Sequence, residues 1–303
     1  MQKTSLFVLL LLPFMTFAQL KKKPDARLQQ GLQQIADNFK GTAGIYVQHL
    51  QTGKWASING DTIFPTASIV KIPLLVGLFN KIDKGELGYH QSMVYRDSSR
   101  YGGSGLMQFF KDSAVTEVSV LAALMMAYSD NTTSLWNQQL AGGGASVNQL
   151  LEQYGLKDTR VNSRTPGRED NRKMYGWGQT TPREMSTLLA KIFRGEVISR
   201  AASERMYRLM TKGYYDEQAL TQIPPYVQAA AKTGSVDESR SEVVLVNAPH
   251  GDYVFYVGTK NIKDQRWDAD NEAVEMIRAV SAYLWKHFEP KNTWTPVFRK
   301  DKF

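Results

Sequence analysis

Residues 64–75 read "FPTASIVKIPLL", an apolar run broken by Ser68 and, three positions on, Lys71. In a helix, residues at i and i+3 share a face, so the hydroxyl and the amine point the same way. The spacing predicts a helix that opens at Ser68 and runs to about Lys84, where "GELG" breaks it. At the start of such a helix, free backbone NH groups and the dipole favour developing negative charge. Pro73 removes the NH that would bond the Ile69 carbonyl, which loosens the first turn. A serine hydroxyl is a weak nucleophile until a base takes its proton. A lysine serves as that base once desolvation and a neighbouring cation lower its pKa. A capping serine beside a snorkelling lysine is the plain alternative, and the short motif does not choose between them.

Upstream, residues 25–39 place Leu28, Leu32, Ile35 and Phe39 on one helical face, and "GTAGIYVQHLQTGKWASING" reads as a β-hairpin turning at "QTGK". Downstream, residues 115–210 are mostly helical, punctuated by Gly142–Gly144 and by the Thr181-Pro182 helix start. Three β runs follow, "YVQAAAKTGS", "SEVVLVNAP" and "DYVFYVGTKN", and a last amphipathic helix spans 270–288 with Val274, Ile277, Val280 and Leu284 inward. Strands from both ends of the chain around a helical middle imply an α+β fold. Its expected form is one antiparallel sheet covered by terminal helices, with an all-helical part (66–214) inserted in an α/β part (19–65 plus 215–303).

Two further motifs carry chemistry. "YSDN" sets Ser129, Asp130 and Asn131 between an apolar helix and the next, and "AAKTGS" sets Lys232, Thr233 and Gly234 in a β run. In this order and spacing, S-x-x-K, S-D-N and K-T-G resemble the penicillin-recognising serine hydrolases, the class A β-lactamase family among them. The likeness spans roughly residues 25–288 and implies the β-lactamase/transpeptidase-like fold. It further implies that Ser68 is the nucleophile, acylated by a β-lactam or peptide carbonyl, and Lys71 the general base. Ser129 would relay a proton to the leaving nitrogen, and Lys232 would hold that relay and depress Lys71. The NH groups of Ser68 and Ser235 would form the oxyanion hole. Asn131 would bind the substrate's amide, and Thr233, Lys232 and Arg240 its carboxylate, with Gly234 letting it approach the strand. Asp130 reads as structural.

The resemblance breaks at one place. The family's deacylating glutamate lies in an Arg-x-Glu-x-x-Leu-Asn loop ahead of a Thr-Pro helix start. Here that stretch is "RVNSRTPGREDNRKMYGWGQTTPREM", and counting back from Thr181-Pro182 puts Thr165 at the glutamate. Glu169 and Asp170 are the nearby substitutes, although their neighbours Arg168 and Arg172 suggest a solvated ion cluster instead. Acylation without efficient deacylation is the expectation. The segments "GGSG" and "YGWG" either shape the pocket or pack beside it.

The first eighteen residues, with Lys3, an apolar run and Thr16-Phe17-Ala18, read as a secretory signal peptide, which implies a periplasmic or secreted protein. There is no cysteine, so no disulfide or thiol chemistry. The four histidines lack metal-ligand spacing, and no cofactor is expected. The net charge of +8 comes without a nucleic-acid motif and reads as a solvated basic surface. The expected chain is a monomer without a stable membrane span, meeting a β-lactam or a cell-wall peptide. Three readings stand: a β-lactamase-like hydrolase, slow or rearranged in deacylation; a D-Ala-D-Ala peptidase or esterase of the same fold; and a non-catalytic binding or sensor module.

Overall fold

A computed structural model describes residues 22–296; the leader-like residues 1–18 lie outside them. The chain enters through β1 (Lys23–Pro24) and α1 (Ala26–Asp37), which Asp25 caps by accepting from the Leu28 NH. The hairpin β2 (Thr42–His49) and β3 (Lys54–Ile58) and the short β4 (Phe64–Pro65) follow. A 3-10 turn, Ala67–Val70, then leads into α2 (Lys71–Asp83). The loosened first turn expected from Pro73 takes this 3-10 form.

The small ladder β5 (Ser92–Val94) and β6 (Val115–Glu117) precedes α3 (Val118–Ala127), α4 (Asn131–Leu140) and α5 (Gly143–Gln153). Next come β7 (Arg160–Val161), α6 (Glu169–Tyr175) and β8 (Gly178–Thr180), then α7 (Pro182–Phe193), capped by Thr181, and α8 (Arg200–Met210). The chain closes with β9 (Ala229–Val236), β10 (Ser239–Val246), β11 (Tyr253–Lys260) and α9 (Glu272–Phe288).

The main sheet runs β1-β3-β2-β11-β10-β9. It is antiparallel as expected, except where the two-residue β1 lies parallel to β3. Strand β10 is buried on both faces, and its alternation sorts residues between two cores. Val243 and Leu245 join α2, α3, α7 and α8 in the core of the helical part. Val244 and Val246 join Leu28 and Leu32 of α1 and Ile277, Val280 and Leu284 of α9 in the other. The expected layers are therefore the observed ones.

Helix α2 runs through the helical core, with Ile72, Leu74, Leu75, Val76, Leu78 and Phe79 all buried. A helix apolar all round is an interior helix, so its first turn is held from every side. At the far edge of the sheet, β9 packs against that turn. A Cβ on Gly234 would stand 2.4 Å from the Thr66 carbonyl oxygen, so only glycine lets the strand come this close. Ser68 and the K-T-G strand are thereby set side by side.

Candidate active site

Ser68 lies in the 3-10 turn, half-buried, and follows Ala67, whose φ of 43° is left-handed. Lys71, one turn on, is fully buried. Its Nζ reaches Ser68 Oγ at 2.9 Å, Ser129 Oγ at 3.0 Å, the Ser129 carbonyl at 2.6 Å and Asn131 Oδ1 at 2.9 Å. Burial and then the Lys232 cation push the Lys71 amine well below the usual lysine range, while Asp130 opposes the shift. A neutral amine in this position holds two N–H bonds toward carbonyl acceptors and turns its lone pair to a hydroxyl. That is the state a base for Ser68 requires.

Ser129 ends the turn between α3 and α4 with a left-handed φ of 51°. Such a conformation costs on the order of 1–3 kcal/mol and persists where surroundings fix it. Here they do. Asp130 caps α4 by accepting from the Thr133 NH at 2.8 Å and binds the Met107 NH with its other oxygen at 2.7 Å. The Asn131 amide donates to the Gly102 carbonyl at 3.1 Å, and its backbone NH donates to Ser104. Gly105 has a φ of +107°, and a Cβ there would fall 2.3 Å from Asp130 Cα. The glycine-rich segment thus clamps the S-D-N turn, which answers what sequence alone left open. Asp130 is structural, as read.

Lys232 of β9 is also buried, and its Nζ donates to Ser129 Oγ at 3.0 Å and to the Thr233 carbonyl at 3.0 Å. Burial pushes its amine down to about 8, while the Glu242 and Glu217 carboxyls pull it up. Ser129 Oγ therefore sits between two amines of low proton affinity. Beyond it, the Arg240 NH and carbonyl both bond Thr259 Oγ1 on the β11 side. Ser235, the register partner of Arg240, is then in a non-hydrogen-bonded pair, and its NH points off the free edge of the sheet.

A cleft of about 780 Å³ opens over Ser68. Asn131 and Ser235 line it with Ser68; Tyr101, Tyr175 and Trp177 form an aromatic wall, with Met174 beside them. Tyr101 meets Trp177 edge to face at 5.2 Å. "YGWG" therefore shapes the pocket. Trp177 lies in "YGWG" and Tyr101 just before "GGSG", the two glycine-rich segments the sequence marks, but the glycines name no partner for either ring.

Two expected residues are not brought to the site. The Arg240 guanidinium binds the Val236, Ser239 and Arg266 carbonyls and stacks 4.4 Å over Trp267, outside the cleft lining. The turn of the β9–β10 hairpin uses it up. Glu169 is exposed, accepts from the Gly167 NH and does not line the cleft. Nor do Glu169 and Asp170 form the expected ion cluster with Arg168, which donates to the amide oxygens of Asn162 and Gln179. Thr165 packs against Gly144 instead of facing Ser68. The only carboxylates lining the cleft, among the described residues, are Asp237 and Glu238 at the hairpin tip. Among the same residues there is no cluster fit for a metal ion, and no helix long and apolar enough to cross a membrane.

Known proteins resemble this chain. The chain is 23% identical over 211 residues to β-lactamase VEB-1 of Pseudomonas aeruginosa, covering 65% of this chain and 70% of that protein. It is 23% identical over 275 residues to a β-lactamase of Rhodobacter capsulatus, with 89% and 92% covered. The structure of PBP-A superposes with a TM-score of 0.79 at 29% identity, over 89% of this chain and 98% of that one. A single-substitution variant of PBP-A has been captured as an acyl-enzyme complex with penicillin G. Residues 27–288 match the Beta-lactamase enzyme family, and with its β-lactamase-like fold the chain belongs to that family of serine hydrolases.

Proposed function

We propose that this protein takes the acyl group of a β-lactam amide onto Ser68 and releases it slowly. The observation that carries this reading is a complete acylation apparatus facing a wall without a carboxylate. Lys71 Nζ stands 2.9 Å from Ser68 Oγ, whereas the Tyr101–Trp177 wall offers no group to activate a water. In the forward step Lys71 takes the Ser68 proton as Oγ attacks the ring carbonyl. The NH groups of Ser68 and Ser235 receive the oxyanion, and Ser129 passes its proton to the departing nitrogen and takes in its place the one Lys71 removed from Ser68, Lys71 Nζ lying 3.0 Å from Ser129 Oγ. Asn131 lines the cleft on the helical side, and Thr233 and Gly234, although not in its lining, precede Ser235 on the edge strand β9, so an amide and a carboxylate would be held between these two sides.

A second reading keeps the same acyl transfer with a peptide ending in D-Ala-D-Ala as the natural acyl donor and β-lactams as its mimics, and the penicillin G acyl-enzyme of the PBP-A variant fits either. The apolar N-terminal stretch supports export in either case, which N-terminal sequencing of the protein as it accumulates in cells tests. The function is tested by mixing the protein with an excess of penicillin G and following the β-lactam absorbance. A burst of one equivalent followed by a slow phase is expected. Sustained rapid hydrolysis would contradict slow release, and no burst would contradict acylation.

A further inference from the structure

Glu242 is fully buried in the middle of β10. One carboxyl oxygen accepts from the Ala219 NH at 2.7 Å, and the other has no hydrogen-bond partner among the described residues. A half-satisfied buried carboxyl is costly and calls for an explanation. Its place in the sheet offers one. Glu242 is the register partner of Thr233, next to the pairing of Val243 with Lys232. By strand alternation Glu242 shares the face of Val244 toward the terminal helices, and Lys232 shares the face of Val243 toward the helical part. The two groups are neighbours through the thickness of the sheet, without contact.

We propose that Glu242 is a positioning residue of the Ser129–Lys232 relay: its carboxylate, across the sheet from Lys232, keeps that amine cationic. Burial pushes the Glu242 carboxyl up to about 8, into the range where Lys232 also titrates, so the pair gives up its protons in two coupled steps. The other groups facing Glu242 act in both directions, the Ala219 NH favouring its anion. Glu217 and Asp216, ahead of the Ala219–Gln222 turn, favour its protonated form, and Lys232 opposes them. From α9, Arg278 is bound to the Glu217 and Ala269 carbonyls and to Glu275, and Ser281 to the Ala219 carbonyl. From β11 the register brings Val257, which carries no charge. When water takes the Glu242 proton, the new anion stabilises the Lys232 ammonium. That ammonium is what depresses Lys71 and holds Ser129.

The inference rests on the acylation reading, and its test separates the two. The pH dependence of acylation by penicillin G is measured for the protein and for Glu242→Gln, whose amide oxygen still accepts from the Ala219 NH. The alkaline limb should move to lower pH by about one unit, the scale of a lost opposite charge, and the acid limb should move less. An unmoved alkaline limb in a folded variant overturns the proposal. Lys232 is also followed directly by NMR of ε-13C-lysine, its signal assigned by its loss in Lys232→Arg. If penicillin never reacts, the acylation reading fails; a Lys232 titration that moves down in Glu242→Gln still upholds the link, and one that stays put breaks it. Should Glu242→Gln not fold, the unaltered protein decides with δ-13C-glutamate. Glu242 must lose its proton at lower pH than Lys232, and the reverse order refutes the role.

Discussion

At the scale of single residues, Lys71 carries the most chemistry. It is a buried amine facing four oxygen atoms, with its proton affinity lowered by burial and by Lys232. Lys71→Ala should slow acylation by about 10²–10⁴-fold at neutral pH, the usual worth of a positioned base. Stopped-flow acylation measures this, and a normal rate would remove Lys71 from the role. The pH profile follows from the same shifts. Acylation should rise as Lys71 loses its proton, at a pH well below the ordinary lysine value, and fall near pH 8 as Lys232 becomes neutral. A rate that keeps climbing through pH 9 would contradict a cationic Lys232 in the relay. These residues were legible in sequence because each motif is local: i and i+3 on one turn, or three consecutive residues at a helix start or in a strand. Arg240 and Glu169 misled because sequence gives a residue's neighbours along the chain but not the direction of a long side chain. The Arg240 guanidinium satisfies carbonyls of its own hairpin, and Glu169 faces water on a short helix.

At the scale of elements, the site is made by close approach between segments far apart in sequence. Strand β9 meets the Ser68 turn through Gly234, and the 101–107 segment meets the S-D-N turn through Gly105. Gly105→Ala combines a left-handed φ with a Cβ 2.3 Å from Asp130 Cα. It should cost about 1–3 kcal/mol by overpacking alone and slow acylation as Ser129 shifts. Denaturant unfolding beside acylation rates checks both, and a neutral substitution would show that the loop does not clamp the turn. The hairpin, α1, α9 and the three late strands could all be read from periodicity, because period two or 3.6 is written along one segment. The aromatic wall could not. Tyr101 and Trp177 meet only after two loops fold over the same helix start, and neither loop has a period.

At the scale of the whole molecule, the cleft lies between two parts that share one sheet. Ser68 and Ser129 belong to the helical part, and Lys232 and Ser235 to the sheet. An acyl group on Ser68 with its oxygen at the Ser235 NH would tie the two together. Acylation should therefore raise the melting temperature by roughly 2–4 °C for each kcal/mol gained in a chain of this size. Calorimetry of the adduct reads this, and an unchanged or lowered temperature would mean that the bound acyl group does not engage β9. The arrangement also separates the two halves of the reaction. The groups that the proposed acylation uses come from the 3-10 turn, the start of α2, the S-D-N turn and β9. The stretch between β7 and β8, where the family's deacylating carboxylate would lie, supplies Tyr175 and Trp177 to the cleft instead.

Intact-mass spectrometry of the protein after mixing with penicillin G, with peptide mapping of the adduct and the remaining drug measured in parallel, tests this separation most directly. The predicted result is a mass increase of one penicillin on the Ser68 peptide that persists while little further drug is consumed. A fleeting or absent adduct with rapid loss of the drug, or an adduct on any other residue, would contradict it.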